Sequence, residues 1–228
     1  ATMPGVVSMA AAIVGLLFGA GAWKVAGFFR RVRTYRDEAK AGAMPAPPGF
    51  RIEGASSERA RSLEFFRIDD QVMGGRSSSS LATPGDGTLV FAGIINTTGG
   101  GFSSCRTLGD EEPLGFPAGA RAVRVRVAGD GQQYKLTLHT SDSWAMSQPV
   151  WAHDLPTAPA GKLQTLSLLL RDFAPSRQGK PVLGAKLAPE NVTGVGINLS
   201  LYDQHGKPNP RFGDGPFKVS LHGLEVTS

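Results

Sequence analysis

Cysteine, charged residues and tyrosine are scarce in this sequence. Cys105 is the only cysteine among 228 residues, so no disulfide can form within the chain. This favours a reducing compartment, or a fold that needs no disulfides. Charged residues make up only 19% of the chain, whereas it has 30 glycines and 16 prolines. Such a composition indicates a turn-rich β protein rather than a helix bundle.

Motifs of common enzyme classes are also missing. The sequence has no P-loop, no Gly-x-Ser-x-Gly elbow and no complete dinucleotide fingerprint. The four histidines have no zinc-site spacing and are expected on strand surfaces or in loops; they are His139, His153, His205 and His222. Asp203 and Asp214 flank a loop that could hold calcium, but the loop lacks a dense set of carboxylates. We therefore expect no catalytic constellation, no cofactor and no metal.

The net charge of +5 is concentrated in one short segment. Residues 24–40 hold six basic side chains and two acidic ones, which leaves about +1 for the rest of the chain. A nucleic-acid-binding domain needs a basic face, so nucleic acid is not an expected partner.

An uncharged run precedes that basic segment. Residues 6–23 are free of charge, and at about 1.5 Å per residue a helix of this length nearly spans the hydrocarbon of a bilayer. We predict one transmembrane helix over residues 6–29, with Trp23 and Lys24 at the membrane interface. Ala11, Gly15 and Gly19 would form a small-residue face for packing against another membrane helix. A buried core helix and a retained signal sequence are the alternatives.

The basic flank predicts an orientation. Four arginines follow the apolar run, namely Arg30, Arg31, Arg33 and Arg36. The positive-inside rule then places the rest of the chain on the cytoplasmic, stromal or matrix side, with the arginines near lipid headgroups. We divide the chain into a membrane helix with a basic extension at residues 1–40, a proline-rich linker at 41–61 and a domain at 62–228.

Within the domain, apolar and polar residues alternate in several short runs. Val123, Val125 and Val127 alternate with arginines, and four more runs show the same period of two around residues 134–138, 166–170, 195–201 and 217–221. This period is typical of half-buried strands. About ten such strands with turn signals between them predict an all-β antiparallel sandwich.

The most distinctive stretch runs from Asp69 to Arg106. It reads as three short strands separated by glycine pairs, at residues 74–75 and 99–100, which we expect in turns with positive φ. The serine run at residues 77–80 adds little bulk, so another surface can approach it closely. Asp69, Asp70 and Arg106 could form a polar site, or Asp70 and Arg106 could hold strand ends together.

This stretch closely resembles the signature of the CIA30 family, whose name refers to an intermediate-associated protein of respiratory complex I. The resemblance covers residues 62–228, and its motif positions are Asp70, Met73, Gly74, Gly75, Ser77, Gly100, Gly101, Phe102, Arg106, Gly215, Pro216 and Phe217. It implies a galactose-binding-like jelly roll in which these residues are structural. It also implies a role in the assembly of complex I.

We therefore expect a noncatalytic accessory subunit or assembly factor of an organellar membrane complex, either a photosystem or respiratory complex I. Its partners would be subunits of that complex and the lipid bilayer. The alternative is a membrane-tethered carbohydrate-binding or enzymatic module, although a carbohydrate partner is not favoured. The thylakoid is slightly preferred to the mitochondrial inner membrane, because a chain starting at Ala1 is common after chloroplast processing.

Overall fold

A computed structural model describes residues 34, 37–38, 41–107, 112–140, 148–177 and 180–228. The predicted membrane span lies outside these residues, and so do its packing positions Ala11, Gly15 and Gly19 and the interface residues Trp23, Lys24, Arg30, Arg31, Arg33 and Arg36. No helix within the described ranges has the length and apolarity needed to cross a bilayer. The compact unit that contains the strands begins at residue 39 and ends at residue 228.

The described part of this unit forms fourteen strands in two sheets. The strands are β1 (Met44–Pro45), β2 (Ile52–Glu53), β3 (Glu64–Asp69), β4 (Ser78–Ala82), β5 (Leu89–Ile95), β6 (Phe102–Thr107), β7 (Ala122–Ala128), β8 (Gln133–His139), β9 (Val150–Pro156), β10 (Leu163–Leu169), β11 (Ala174–Arg177), β12 (Lys180–Pro181), β13 (Gly194–Ser200) and β14 (Gly215–Thr227). Short 3-10 helices cover Glu58–Arg61, Asp70–Met73, Leu170–Asp172 and Pro189–Asn191.

The two sheets pack as a sandwich. An eight-stranded sheet has the order β1-β3-β6-β13-β8-β9-β11-β12, and a second sheet has the order β10-β7-β14-β5-β4 with β2 beside β14. Every pairing among the named strands is antiparallel except that of β2 with β14. The predicted all-β antiparallel sandwich is therefore confirmed.

Alternating side chains build the core between the sheets. Val123, Val125 and Val127 of β7 are fully buried, whereas Arg124 and Arg126 between them point to solvent. Buried residues from β8, β13 and β14 complete a single apolar cluster with them. Burial of such side chains contributes about 1.5–3 kcal/mol each, which makes the period-two pattern the main determinant of the fold. Leu201, predicted to continue the β13 pattern, lies beyond the strand end and is exposed.

The segment at 41–61, expected to be a linker, contributes directly to the sandwich. Strand β1 pairs with β3, and β2 pairs in parallel with the C-terminal half of β14. Phe50, Ile52 and Ala60 from this segment are buried in the common core. Residues 44–61 are therefore part of the domain, because their apolar side chains are covered by strands far away in the sequence. The segment also contains the 3-10 helix Glu58–Arg61, which is capped by Ser57.

Candidate functional site

Asp69 links the two sheets. Its buried carboxylate accepts hydrogen bonds from the backbone N–H (3.0 Å) and the hydroxyl (2.6 Å) of Ser79, which belongs to β4 in the smaller sheet. It also accepts a short hydrogen bond from the hydroxyl of Ser103 on β6, which belongs to the larger sheet. Arg67 adds an ion pair at 2.9 Å. A buried carboxylate is stable only with several such donors, and here the donors come from both layers.

Asp70 links the two loops that follow it. Its carboxylate, also fully buried, accepts the backbone N–H (2.9 Å) and the hydroxyl (2.7 Å) of Ser77. It accepts a third hydrogen bond, at 2.8 Å, from the backbone N–H of Gly101 just before β6. The Ser77 hydroxyl in turn accepts the N–H of Asn96 at 3.1 Å. One carboxylate thus ties together the chain entering β4, the chain leaving β5 and the chain entering β6.

The two glycines of each pair are required for different reasons. Gly74 and Gly99 have the expected positive φ, at +92° and +79°. The same expectation is wrong for Gly75 and Gly100, whose φ values lie outside the left-handed region. A Cβ atom at Gly75 would lie 2.3 Å from the Asp70 carboxylate, and one at Gly100 would lie 2.2 Å from it. These two positions hold glycine because the buried carboxylate lies between them, so the constraint is contact rather than backbone conformation.

The serines have a role that the sequence interpretation missed. The run at residues 77–80 was expected to allow close packing, but the hydroxyls of Ser77 and Ser79, together with that of Ser103 on β6, donate hydrogen bonds to the two aspartates. The available signal was the pair of adjacent acidic residues in a segment otherwise typical of buried strands. A buried acidic pair requires nearby donors, and the serine run provides the nearest hydroxyls.

A third carboxylate fixes the turn that follows β7. Asp130 accepts hydrogen bonds from the Tyr134 hydroxyl at 3.0 Å, from the Gln132 N–H at 3.0 Å and from the Lys218 N–H at 2.7 Å. Burial, together with the charge of Asp130, raises the pKa of Tyr134, which therefore stays protonated as a donor. The turn between β7 and β8 is thereby attached to β14.

The remaining motif residues lie in two places. Phe217 of the segment Gly215–Phe217 packs between Phe91 and Tyr134, with ring centroids at 5.0 and 6.4 Å. Phe102 begins β6 and is half-buried. Arg106 lies on the face of β6 opposite to Ser103, with its guanidinium carbon 5.2 Å from the centre of the Phe66 ring. The structure therefore does not bring Arg106 into the cluster around Asp69 and Asp70.

The loops around Asp70 lie at one end of the sandwich and carry several exposed side chains. We call residues 70–77, 96–101 and 201–203 the motif end. Leu201 joins it through a hydrogen bond from its N–H to the Gly101 carbonyl at 3.0 Å. Met73, Leu201 and Tyr202 are 62%, 41% and 52% exposed. The buried aspartates thus hold loops that display apolar side chains to solvent.

The candidate calcium loop is held by its own hydrogen bonds. The Asp203 carboxylate accepts the N–H groups of His205 and Lys207, both at 2.8 Å. Asp214 accepts the N–H of Thr97 at 2.6 Å. Over the described ranges, no group of three or more His, Cys, Asp or Glu side chains could hold a metal ion.

The histidines differ in burial. His205 is exposed as expected, and His153 and His222 are half-buried. The surface prediction is wrong for His139, which is only 4% exposed on a strand whose two faces are both covered. Its Nε2 atom lies 3.3 Å from the Thr137 hydroxyl, while Nδ1 has no hydrogen-bond partner among the residues that the structure describes. Burial, and secondarily the charge of Arg106, lowers the pKa of His139 well below its usual 6.5.

The buried state of His139 predicts acid sensitivity. In the unfolded chain this histidine gains a proton as the pH falls below 6.5, but in the folded protein it stays neutral to a lower pH. The contribution of His139 to the free energy of unfolding is therefore fully present above about pH 6.5 and decreases as the pH drops below this value. We expect the wild type to lose about 1 kcal/mol more than His139→Gln between about pH 7.5 and about pH 5.5.

Urea unfolding of both proteins at several pH values measures this difference. The comparison removes the contribution of the other three histidines, which both proteins share. Parallel stability–pH curves for the two proteins would contradict the assignment, whatever their absolute stabilities.

The chemistry open to these groups is limited. Asp69, Asp70 and Asp130 each accept at least three hydrogen bonds from other parts of the domain, so all three carboxylates are used in holding its structure. Burial raises the pKa of the Cys105 thiol to about 12, which keeps the thiol protonated and unreactive. The polar residues of the signature stretch act mainly on the structure of the domain.

Comparison with known proteins agrees with this geometry. Residues 55–221 match the family described as Complex I intermediate-associated protein 30 (CIA30). The chain belongs to the CIA30 family. The family is linked to assembly and accessory roles for complex I. A search of curated protein sequences finds no significant match.

Carbohydrate-binding modules and agarases are among the solved structures to which this chain is similar. A family 11 carbohydrate-binding module of a cellulosomal cellulase from Clostridium thermocellum is 11% identical, with a TM-score of 0.45 over 81% of this chain and 96% of that one. The same family's module in complex with a mixed-linked tetrasaccharide is 12% identical, with a TM-score of 0.43 over 70% and 87%. An agarase is 11% identical, with a TM-score of 0.43 over 80% and 26%. Similarities with TM-scores below 0.5 identify neither a superfamily nor a ligand for this CIA30 protein.

Proposed function

We propose that this CIA30 protein is a noncatalytic accessory subunit or assembly factor of an organellar membrane energy-converting complex, either a photosystem or respiratory complex I. It works by docking, with a membrane helix and the β-sandwich contacting the same complex. When one of two linked contacts has formed, the second binding surface is held at a high effective concentration near its partner. Each contact can therefore be weak alone.

The observation that carries this proposal is the motif end. Its carboxylates are used inside the fold, and its outward side chains are apolar: Met73, Leu201 and Tyr202. Apolar and aromatic side chains on a rigid surface are typical of protein interfaces, where they are desolvated by a partner. We propose that a subunit of the complex covers this surface.

The membrane part of the proposal comes from the sequence. A span over residues 6–29 would pack through Gly15 and Gly19 against another helix, and the four arginines from Arg30 to Arg36 would lie at the headgroups. We propose that the domain faces the stroma of the thylakoid, with the matrix side of the mitochondrial inner membrane as the alternative. Protease digestion of sealed organelle membranes tests this orientation.

Native-gel migration after gentle solubilisation tests docking. We expect the wild type to migrate with a large complex, and the double variant Met73→Glu/Leu201→Glu to lose most of this association because it places two charges in an apolar contact. A matched control is Leu183→Glu, since Leu183 is 93% exposed and follows β12. All three proteins should have the same melting temperature.

The membrane helix can be tested in the same assay. Gly15→Leu/Gly19→Leu should reduce co-migration while the domain stays folded, because bulky side chains prevent close helix approach. A wild type that migrates only as a free monomer would contradict docking and would favour the carbohydrate-binding alternative.

A further inference from the structure

A polar pocket lies on the outer face of the smaller sheet, away from the motif end. It has a volume of about 280 Å³. Its floor includes Arg126, Thr165 and Gly223, which are neighbours across β7, β10 and β14. Its walls are formed by residues 48–51, by Glu53 and by the turn at Asp86 and Gly87. Pockets for drug-sized ligands start at about 300 Å³, so this one suits a small molecule.

Four of the charged residues in the pocket form two ion pairs. Arg124 forms an ion pair with Glu225 at 2.9 Å, and Arg51 forms a longer one with Glu53 at 3.7 Å. These four groups contribute no net charge to the pocket. The two charges of each pair neutralise each other, so neither pair attracts a counterion strongly. Both pairs are largely exposed and contribute little to stability.

Two charges of opposite sign remain. Arg126 forms no ion pair with any residue in the described ranges, and the same holds for Asp86. Asp86 accepts the N–H of Thr88 at 3.0 Å. Hydrogen bonding by Thr88, and to a lesser degree the nearby His222, lowers the pKa of Asp86, so this carboxylate is charged at neutral pH.

A bulge in β14 completes the donor set. The pairing of β14 with β7 shifts between Leu221 and Gly223, so His222 is an extra residue in the strand. Its Nδ1 atom lies 3.2 Å from the Thr88 hydroxyl. Bulges of this kind redirect a side chain, and here the imidazole lines the pocket beside Gly223, which has no side chain to fill it. The guanidinium of Arg126, the Thr165 hydroxyl and the His222 ring are groups that can donate to an oxyanion.

We propose that this pocket binds a small zwitterion that carries a phosphate and an amine, with the phosphate on Arg126 and the ammonium on Asp86. The net neutrality of the pocket disfavours a simple anion, because the acidic wall would repel it. A phosphoethanolamine group satisfies both unpaired charges at once. This group occurs in soluble metabolites and in lipid headgroups. The pocket shares no residue with the motif end, so substitutions in the pocket leave the residues proposed for docking unchanged.

Calorimetric titration of the full chain in detergent micelles tests the site. O-phosphoethanolamine should bind at least about tenfold more tightly than inorganic phosphate or ethanolamine alone. Arg126→Gln should weaken its binding by about tenfold or more, and Asp86→Asn should reduce it to the affinity of phosphate. Arg171→Gln is the matched control, because Arg171 is an exposed arginine paired with Asp172 outside the pocket.

The source of the ligand is tested with the full chain in lipid nanodiscs. If the natural ligand is a lipid, discs containing phosphatidylethanolamine should weaken the apparent binding of the soluble compound relative to discs of phosphatidylcholine. Equal binding in both discs would assign the site to a soluble compound. Absence of binding, equal affinity for phosphate and phosphoethanolamine, or an unchanged Arg126→Gln variant would overturn the proposal.

Discussion

Replacing Asp70 by alanine will lower the free energy of unfolding by about 3–5 kcal/mol. The change removes the acceptor of three hydrogen bonds, two from Ser77 and one from the Gly101 N–H. All three donors lie at buried or half-buried positions, where an unmatched polar group costs most. This is a large fraction of the stability of a typical domain.

Urea unfolding monitored by circular dichroism measures the effect. Asp172→Ala is the control, because the Asp172 side chain is exposed and its contact with Arg171 is a long ion pair of 3.7 Å. The control should change stability by about 0.5 kcal/mol or less. Equal effects at the two positions would show that Asp70 does not hold the loops together.

Alanine at Gly75 or Gly100 will destabilise the domain by about 2–4 kcal/mol. Neither position has a left-handed backbone, so the whole cost comes from a methyl group placed against the buried Asp70 carboxylate. Gly74→Ala should cost only about 1 kcal/mol, since its φ is +92° but nothing lies within 4 Å of its Cβ position.

The matched control for these variants is Gly119→Ala. Gly119 has no positive φ, and no atom of the described residues lies within 4 Å of the position that an added methyl group would take, so we expect almost no change. If Gly75→Ala cost no more than Gly74→Ala, backbone conformation rather than contact with Asp70 would explain both glycines.

The strands were predictable because their signal is local. Alternation in β7 places three valines on one face whatever the rest of the chain does. The burial of Phe50 and Ile52 was not predictable in the same way. Strand β2 is two residues long and is stabilised by β14 at the other end of the sequence, so a proline-rich segment that appeared to be a linker is part of the sandwich.

The candidate site was predictable in its residues but not in its contacts. The motif identified Asp70, Ser77 and Gly100 as important. Their structural role depends on contacts between the two sheets and three loops, which the motif does not show. His139 shows the same limit. Its alternation with Leu138 suggests an exposed face, but β8 is a central strand and both of its faces are covered. Sequence periodicity reports one covered face and cannot reveal the second.

A double-mutant cycle between Asp70→Ala and Gly75→Ala most directly tests the claim that the CIA30 motif is built around a buried carboxylate. The atoms nearest to a Cβ at Gly75 are all in the Asp70 carboxylate, and Asp70→Ala removes them. We predict that Gly75→Ala costs about 2–4 kcal/mol in the wild type but less than about 1 kcal/mol in the Asp70→Ala background. Additive effects of the two substitutions would contradict the account.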